Sequence, residues 1–542
     1  MSGIEQDQPR AHPAPTRRFA ALIDPTGLRP ATPGKPSGSP PPRFAALIDP
    51  TRLRPATPGK PSGSPPPRFA ALIDPTELRP ATPGKPSGSP PPRFAALIML
   101  CVLGCAGRAN QAIALYESGD YTAAARAADE GLAAHPSDHG LWQMRVRAAL
   151  ALGDSDGVAR AYKAYRGHRN TEDSELLRDL AVATLGQALA SPSAKLKIAA
   201  INAVAAAEIQ ELADRVGERL GDDDDRVAAA AATAVLRGFP QAPQVASTML
   251  HSDDPEARRI AVEGVGKKVG ALAAGDLRRL AGDDPDPGVR RAAIRWLGQI
   301  KDKDSVDVLV RQMRHTDEAV RATAASALAR IGRGDLAGIA HAAIADRSLA
   351  VRLAGIELLV AANQTAVLVA LAEDPDPMVA AEAAIAAKRS DLAAKALERA
   401  VTDDAWTTRA GAANTAVRAV GTSPAVGLAR RLITDRDIGV RLAAARLLAH
   451  AGDRAAAVGV FADALSGDHA LDAASDLAAL GDDRGVQRLD AMVRDREASP
   501  DQRAAAASAH RAAHRITPGL VAALADPSAV VRVAAAATLV MR

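Results

Sequence analysis

The chain has almost no cysteine and very few aromatic side chains. Its two cysteines, Cys101 and Cys105, lie four residues apart, and no thiol follows them. That excludes a disulfide framework and a cysteine-based zinc site in the main body, and it fits an oxidising or a reducing compartment equally. Aromatics make up 2% of 542 residues while apolar residues make up 47%, so the core must be built from Ala, Leu and Val. Ala is the best helix former, and its small side chain lets helices approach closely. No strands are evident, and neither a Walker loop nor a nucleotide-binding glycine fingerprint occurs. The expectation is an almost all-α protein, too long for one ordinary domain. The net charge of +4 is unevenly spread. Residues 1–98 hold 13 Lys/Arg against 6 Asp/Glu, net +7, which leaves −3 for the remainder. The basic balance therefore belongs to the N-terminal stretch and argues against a nucleic-acid-binding body.

Residues 1–92 are rich in Pro, Gly and Ser. A 25-residue unit occurs three times, at Arg18–Pro42, Arg43–Pro67 and Arg68–Pro92. The copies differ at one position, Gly27, Arg52 or Glu77, which points to recent tandem duplication of DNA. Such a composition cannot bury enough surface to offset its ordering entropy, so a disordered tail is expected. Two roles stay open, a polyproline recognition tail or spacer and an expansion without function.

A fourth copy starts at Arg93 and departs into an apolar segment, residues 93–107. It ends Val102-Leu103-Gly104-Cys105-Ala106-Gly107. A positive charge followed by about ten apolar residues has the length of a secretory signal and is too short to span a bilayer. The ending resembles a bacterial lipobox. The resemblance implies cleavage after Gly104, lipid on Cys105 and a place in the cell envelope, at the outer membrane facing the periplasm. The alternative is a short buried helix heading a cytoplasmic protein. Against the lipobox, 92 residues precede a segment that should lie near the start.

Residues 109–190 carry Leu115, Tyr116, Gly119, Tyr121, Ala124, Ala128 and Pro136, then a weaker unit from Leu141 to Tyr165, then a helical remnant at Leu176–Leu189. The first set resembles a tetratricopeptide repeat. The block is expected to cap the array that follows it, since free-standing solenoids need about three repeats or more.

Over residues 191–542 a phrase recurs, clearest as Asp317-Glu318-Ala319-Val320-Arg321 followed by an Ala-rich run. Its Arg slot is filled by Lys197, Ala228, Arg258, Arg290, Arg321, Arg352, Ala380, Arg409, Arg441, Asp472, Arg503 and Arg532, spaced 28–32 residues apart. Each of about 12 repeats holds two helical patterns with apolar residues at i, i+3, i+4. Acidic or Pro-bearing turns precede the Val-Arg helix, where Asp caps free amides. Gly298, Gly332 and Gly452 stand where that helix should stop. The pattern resembles the HEAT family, in particular its short variant named after phycobilisome lyases. The resemblance implies a right-handed α-solenoid with the Val-Arg helices on its concave face. It also implies a ladder between repeats made by Asp317, Asp346 and Asp435 with Arg258, Arg290, Arg321, Arg352, Arg409, Arg441, Arg503 and Arg532. Ala228, Ala380 and Asp472 break that ladder, so looser joints are expected there, most of all at Asp472.

No catalytic, cofactor or metal set emerges. His510 and His514 are four apart, yet no nearby Cys or helix-borne Glu completes a metal site. Asp222–Asp225 lacks the spacing and glycine of a calcium loop. Trp406, at a turn, is the exposed aromatic candidate for a binding hot spot. The sequence thus points to a non-enzymatic scaffold that binds an unknown protein or peptide on a concave face, with a lipid anchor at Cys105. An enzyme of the bilin-lyase kind in the groove and a nucleic-acid-binding solenoid are the alternatives.

Overall fold

An Asp at each turn, a helix-compatible residue after it and a buried Val three residues on are enough to start the first helix of most repeats. Asp254, Asp286, Asp317, Asp376 and Asp437 each accept a hydrogen bond from a backbone amide of the turn they cap. Pro255, Pro287, Pro377 and Pro500 occupy the first helical position, where a missing N–H costs nothing. Val289, Val320, Val351, Val379, Val440 and Val531 are then fully buried, and each places the next residue, the Arg or Ala of the slot, back over its own turn.

The computed structural model describes residues 107–541 apart from 153 and 168–172. All of them belong to one unit, Arg43–Arg542. Every regular element among the described residues is a helix, in an all-α solenoid. The N-terminal part holds α1 (107–117), α2 (Tyr121–Ala134), α3 (His139–Ala151), α4 (Ser155–Gly167) and α5 (Ser174–Leu189). The repeats follow as pairs. They are α6 and α7 (Ala194–Ala206, Ala213–Gly217), α8 and α9 (Asp225–Ala234, Ala242–Met249), α10 and α11 (Pro255–Lys268, Ala274–Asp283), and α12 and α13 (Pro287–Gln299, Val306–Gln312). Next come α14 and α15 (Glu318–Ile331, Leu336–Ile344), α16 and α17 (Leu349–Ala361, Thr365–Leu371), α18 and α19 (Pro377–Ala386, Ser390–Ala400), and α20 and α21 (Trp406–Val420, Thr422–Leu432). The last are α22 and α23 (Ile438–His450, Arg454–Asp463), α24 and α25 (Ala470–Ala479, Asp483–Arg494), α26 and α27 (Pro500–Ala509, Pro518–Ala523), and α28 (Ala529–Val540).

Most first helices pack on the first helix of the next repeat, with the second helix filling the space behind the two, as α15 does behind α14 and α16; α24 is the exception, packing chiefly on α23 and α25. Small residues set the spacing. Gly298 does not end its helix as its place in the sequence implies. It lies inside α12, where an added Cβ would sit 2.8 Å from Cα of Ala327, so it serves the close approach of α14. Gly332 does end α14, in the left-handed conformation with φ 69°. Gly452 follows α22 with φ 90°.

The apolar core is segmented. One cluster gives way to another within α8, again within α18, and again within α24. These are the helices whose Arg slot holds Ala228, Ala380 and Asp472. α5 packs on α3 of the N-terminal block and also on α6 and α28. Its buried residues line two faces, Leu176 and Leu180 on one and Leu177, Ala181, Leu185 and Ala188 on the other, as a helix between two neighbours requires.

Candidate functional site: the slot arginines and the groove of the first helices

The Arg slot closes each turn before it bridges repeats. Nη1 of Arg258 donates to the carbonyls of Ser252 and Asp253 at 2.8 and 3.1 Å. Arg321 does the same to His315 and Thr316, and Arg409 to Asp403 and Asp404. Those carbonyls follow the preceding second helix, where no amide is left to satisfy them. The far edge of the guanidinium then meets the acid of the next repeat. Arg258 pairs with Asp284 through two bonds of 2.8 and 2.9 Å, Arg321 with Asp346 at 2.8 and 2.9 Å, and Arg409 with Asp435 at 2.7 and 2.9 Å. Arg352 reaches Asp376 at 2.8 Å, Arg503 reaches Asp526 at 3.1 and 3.2 Å, and Lys197 reaches Asp222 at 2.7 Å. Hydrogen bonds from Arg321 and Arg409 hold Asp346 and Asp435 below the usual carboxylate range.

Four expected rungs differ. Arg290 finds His315 where other repeats carry the acid. It donates instead to Gln312 Oε1 at 3.2 Å and to the Gly282 and Asp284 carbonyls. Among the described residues Arg441 and Arg532 make only the carbonyl clasp, to Asp435 and Arg436 and to Asp526 and Pro527. Asp317 pairs with no arginine among the described residues. Its carboxylate caps α14 through the amide of Val320 at 3.0 Å, because it stands two residues past the acid position of its turn.

The cleft of about 810 Å³ in the array is lined by first helices alone, α12, α14, α16, α18 and α20. Its floor is apolar. Leu353 and Val360 belong to the face of α16 opposite its buried Val351, Ala354, Leu358 and Leu359, and Val360 is 49% exposed. Ile385 of α18 continues the floor. Charged side chains rim it. Arg418 and Glu382 pair at 2.5 Å, and Arg295 pairs with Glu263, which also accepts from the Trp296 indole at 2.8 Å. Arg330 and Glu357 are exposed and have no ion-pair partner among the described residues. The groove spans the joint at α18, where the core divides and the slot holds Ala380. Sequence reading missed it. The available signal was α16 itself, whose Leu353 and Val360 make it apolar on the face away from its core residues.

Trp406 is the first residue of α20 and 44% exposed, with its ring over the α22 turn at Gly439, outside the groove lining. Leu349 holds the same position in α16, also exposed. Cys105 lies outside the described residues, as does the tail of residues 1–92. No described helix is long and apolar enough to cross a membrane.

His510 and His514 do not share a helix face. α26 stops at Ala509, a 3₁₀ turn carries His510–Ala513, and His514 takes φ 50° beyond it. His510 is fully buried. Nδ1 lies 2.9 Å from Thr517 Oγ1 and Nε2 lies 3.5 Å from Asp490 Oδ1. Burial pushes His510 down to about 4 and Asp490 upward. Thr517 also caps α27 through Leu520, so this is a structural polar cluster. Within Asp222–Asp225, Asp222 takes Lys197, Asp224 caps α8 and pairs with Arg226, and Asp225 accepts from Ser252. Among the described residues no group of three or more His, Cys, Asp or Glu could hold a metal ion.

A family model described as HEAT repeats matches residues 242–329 and 276–359. No curated protein matches the chain. Among solved structures, a Kap121p mutant aligns at 14% identity over 72% of this chain and 48% of its own, with TM-score 0.34. Human deoxyhypusine hydroxylase aligns at 21% identity over 59% of this chain and 98% of its own, with TM-score 0.22. The CpcE–CpcF complex of phycocyanin lyase from Nostoc aligns at 20% identity over 54% and 96%, with TM-score 0.23. The chain spans about half the length of Kap121p. At such scores these likenesses say nothing of activity or partner.

Proposed function

Because the chain is a HEAT-repeat protein, we propose that it is a non-enzymatic scaffold whose groove on α12–α20 binds a peptide segment of another protein. The observation that carries this is the apolar floor of exposed Val360 with half-buried Leu353 and Ile385, in a groove also lined by Arg330 and Glu357, which have no ion-pair partner among the described residues. The volume, about 810 Å³, suits a few side chains rather than a folded surface. The occupant is an amphipathic segment that places one or two aliphatic or aromatic side chains on Val360, with an acid facing Arg330 and a base facing Glu357. Helix-in-groove recognition works through such anchors, and opposite charges fix its direction. Peptide display on the purified protein tests this. Enriched peptides should carry an apolar pair between opposite charges, and Val360→Asp should weaken them at least tenfold. Peptides that bind Val360→Asp as well as wild type would place the site elsewhere.

The lipobox-like end at Cys105 supports a second part of the proposal, a diacylated N-terminus that holds the scaffold at the cell envelope. One acyl chain binds a membrane only weakly, and two hold it stably. Intact mass of the membrane fraction decides the matter. A chain starting at a lipid-modified Cys105, lost in Cys105→Ser, supports the anchor. A soluble chain retaining residues 1–92 refutes it.

A further inference from the structure

α28 and α6 belong to repeats at opposite ends of the array, yet they touch, and α5 lies against both. The three reproduce the arrangement of α14, α15 and α16 at an interior joint. Two successive first helices are in contact, and a second helix packs behind them. A single apolar core joins the two ends. It holds Leu180 and Leu185 of α5, Ala200 and Ile201 of α6, and Val531 and Ala535 of α28. At the rim, Lys195 Nζ meets Asp501 Oδ1 at 2.7 Å across 306 residues of sequence.

We propose that α5 is a latch. Although it precedes the array, it serves as the second helix of the α28 repeat, and the array thereby closes on itself without a covalent link. The inference does not depend on the peptide groove. It says how the array is held, in that the curvature of the first helices is set by closure and not by stacking from one free end. Open repeat arrays depend on terminal caps because end repeats have one neighbour only. Here the end repeat has two. A partner would meet a groove whose curvature is set before it binds, which lowers the ordering cost of association.

Two measurements on the unaltered protein test the latch. A zero-length carbodiimide reagent joins a lysine amine to a carboxylate only in direct contact. Lys395 and Glu373, exposed and 3.1 Å apart in neighbouring repeats, are the internal standard. The latch predicts a Lys195–Asp501 link in monomer-mass protein, at a yield within about threefold of the standard. A standard link without the Lys195–Asp501 link, or that link in dimer-mass protein alone, overturns the proposal. Hydrogen exchange provides the second reading. Closure predicts that amides of α28 exchange within about tenfold of those in α16, deep in the array. Exchange in α28 a hundredfold faster than in α16, the behaviour of a fraying end, overturns it as well.

Discussion

Replacing Arg258 by Ala should cost far more stability than replacing Arg441 by Ala, although both stand in the same slot. The Arg258 guanidinium is 8% exposed and its partner Asp284 is 4% exposed. It makes two charge-assisted bonds to Asp284 and two bonds to turn carbonyls. Truncation removes all four and leaves a buried carboxylate whose one remaining side-chain bond among the described residues is from the Asp286 amide. Breaking a buried pair from one side costs about 3–5 kcal/mol, most of it the unpaired charge. Arg441 makes two bonds, to the Asp435 and Arg436 carbonyls, and no ion pair among the described residues. Its loss should cost about 1–2 kcal/mol. Urea titration followed by circular dichroism compares the two through their midpoints at unchanged slope. The double change Arg258→Met with Asp284→Leu should recover most of the loss, since no charge is left unpaired. Equal losses for Arg258→Ala and Arg441→Ala, or no recovery in the double variant, would refute the claim that the bridge is made in some slots and absent in others.

Stability should also depend on pH through His510. Its folded value, about 4, lies below the ordinary 6.5, so the unfolded chain binds the proton more readily. The stability it contributes is complete above pH 6.5 and is lost as pH falls toward 4, by about 3 kcal/mol. His510→Gln should flatten that slope in denaturation series between pH 4 and 7. Asp490, raised by burial beside it, acts with opposite sign at the acid end, where its retained proton favours the folded state. Gly298→Ala drives a methyl against the α14 backbone at Ala327 and should destabilise by about 1–3 kcal/mol in urea titrations. Gly459→Ala, with open space around its Cβ position, should not destabilise the chain in the same titrations. Arg330→Glu should weaken a groove-selected peptide bearing an acid and spare one in which that acid is replaced by Gln, as read by fluorescence anisotropy.

Much of this fold was legible because most repeats follow the same rules. The turn Asp, the buried Val and the slot Arg recur at fixed offsets in most copies, so one reading serves those. The capping role of Asp254, Asp286 and Asp437 follows from spacing alone. Legibility ended where a role depends on another part of the chain. Gly298 has the composition signature of a helix stop, and only the position of Ala327 on α14 shows that it is a contact surface. Arg290 and Arg321 are indistinguishable in sequence, and their difference lies in His315 and Asp346 of the following repeats. The turn carbonyls that every slot Arg clasps carry no side-chain signal at all. α5 reads as a remnant of the N-terminal block, since nothing local records that its second apolar face meets α28 more than 300 residues on. The groove depends on the joint of α16 and α18, and Trp406, the one site candidate chosen by residue type, stands apart from it.

On the proposed function, the groove of the first helices is where the scaffold meets its partner. Hydrogen exchange of the full chain with and without a display-selected peptide measures that directly. Slowed exchange confined to α14, α16 and α18, and absent in Val360→Asp at the same peptide concentration, is the predicted result. Protection centred on α1–α4 or on the Trp406 edge, with α16 unchanged, would contradict it.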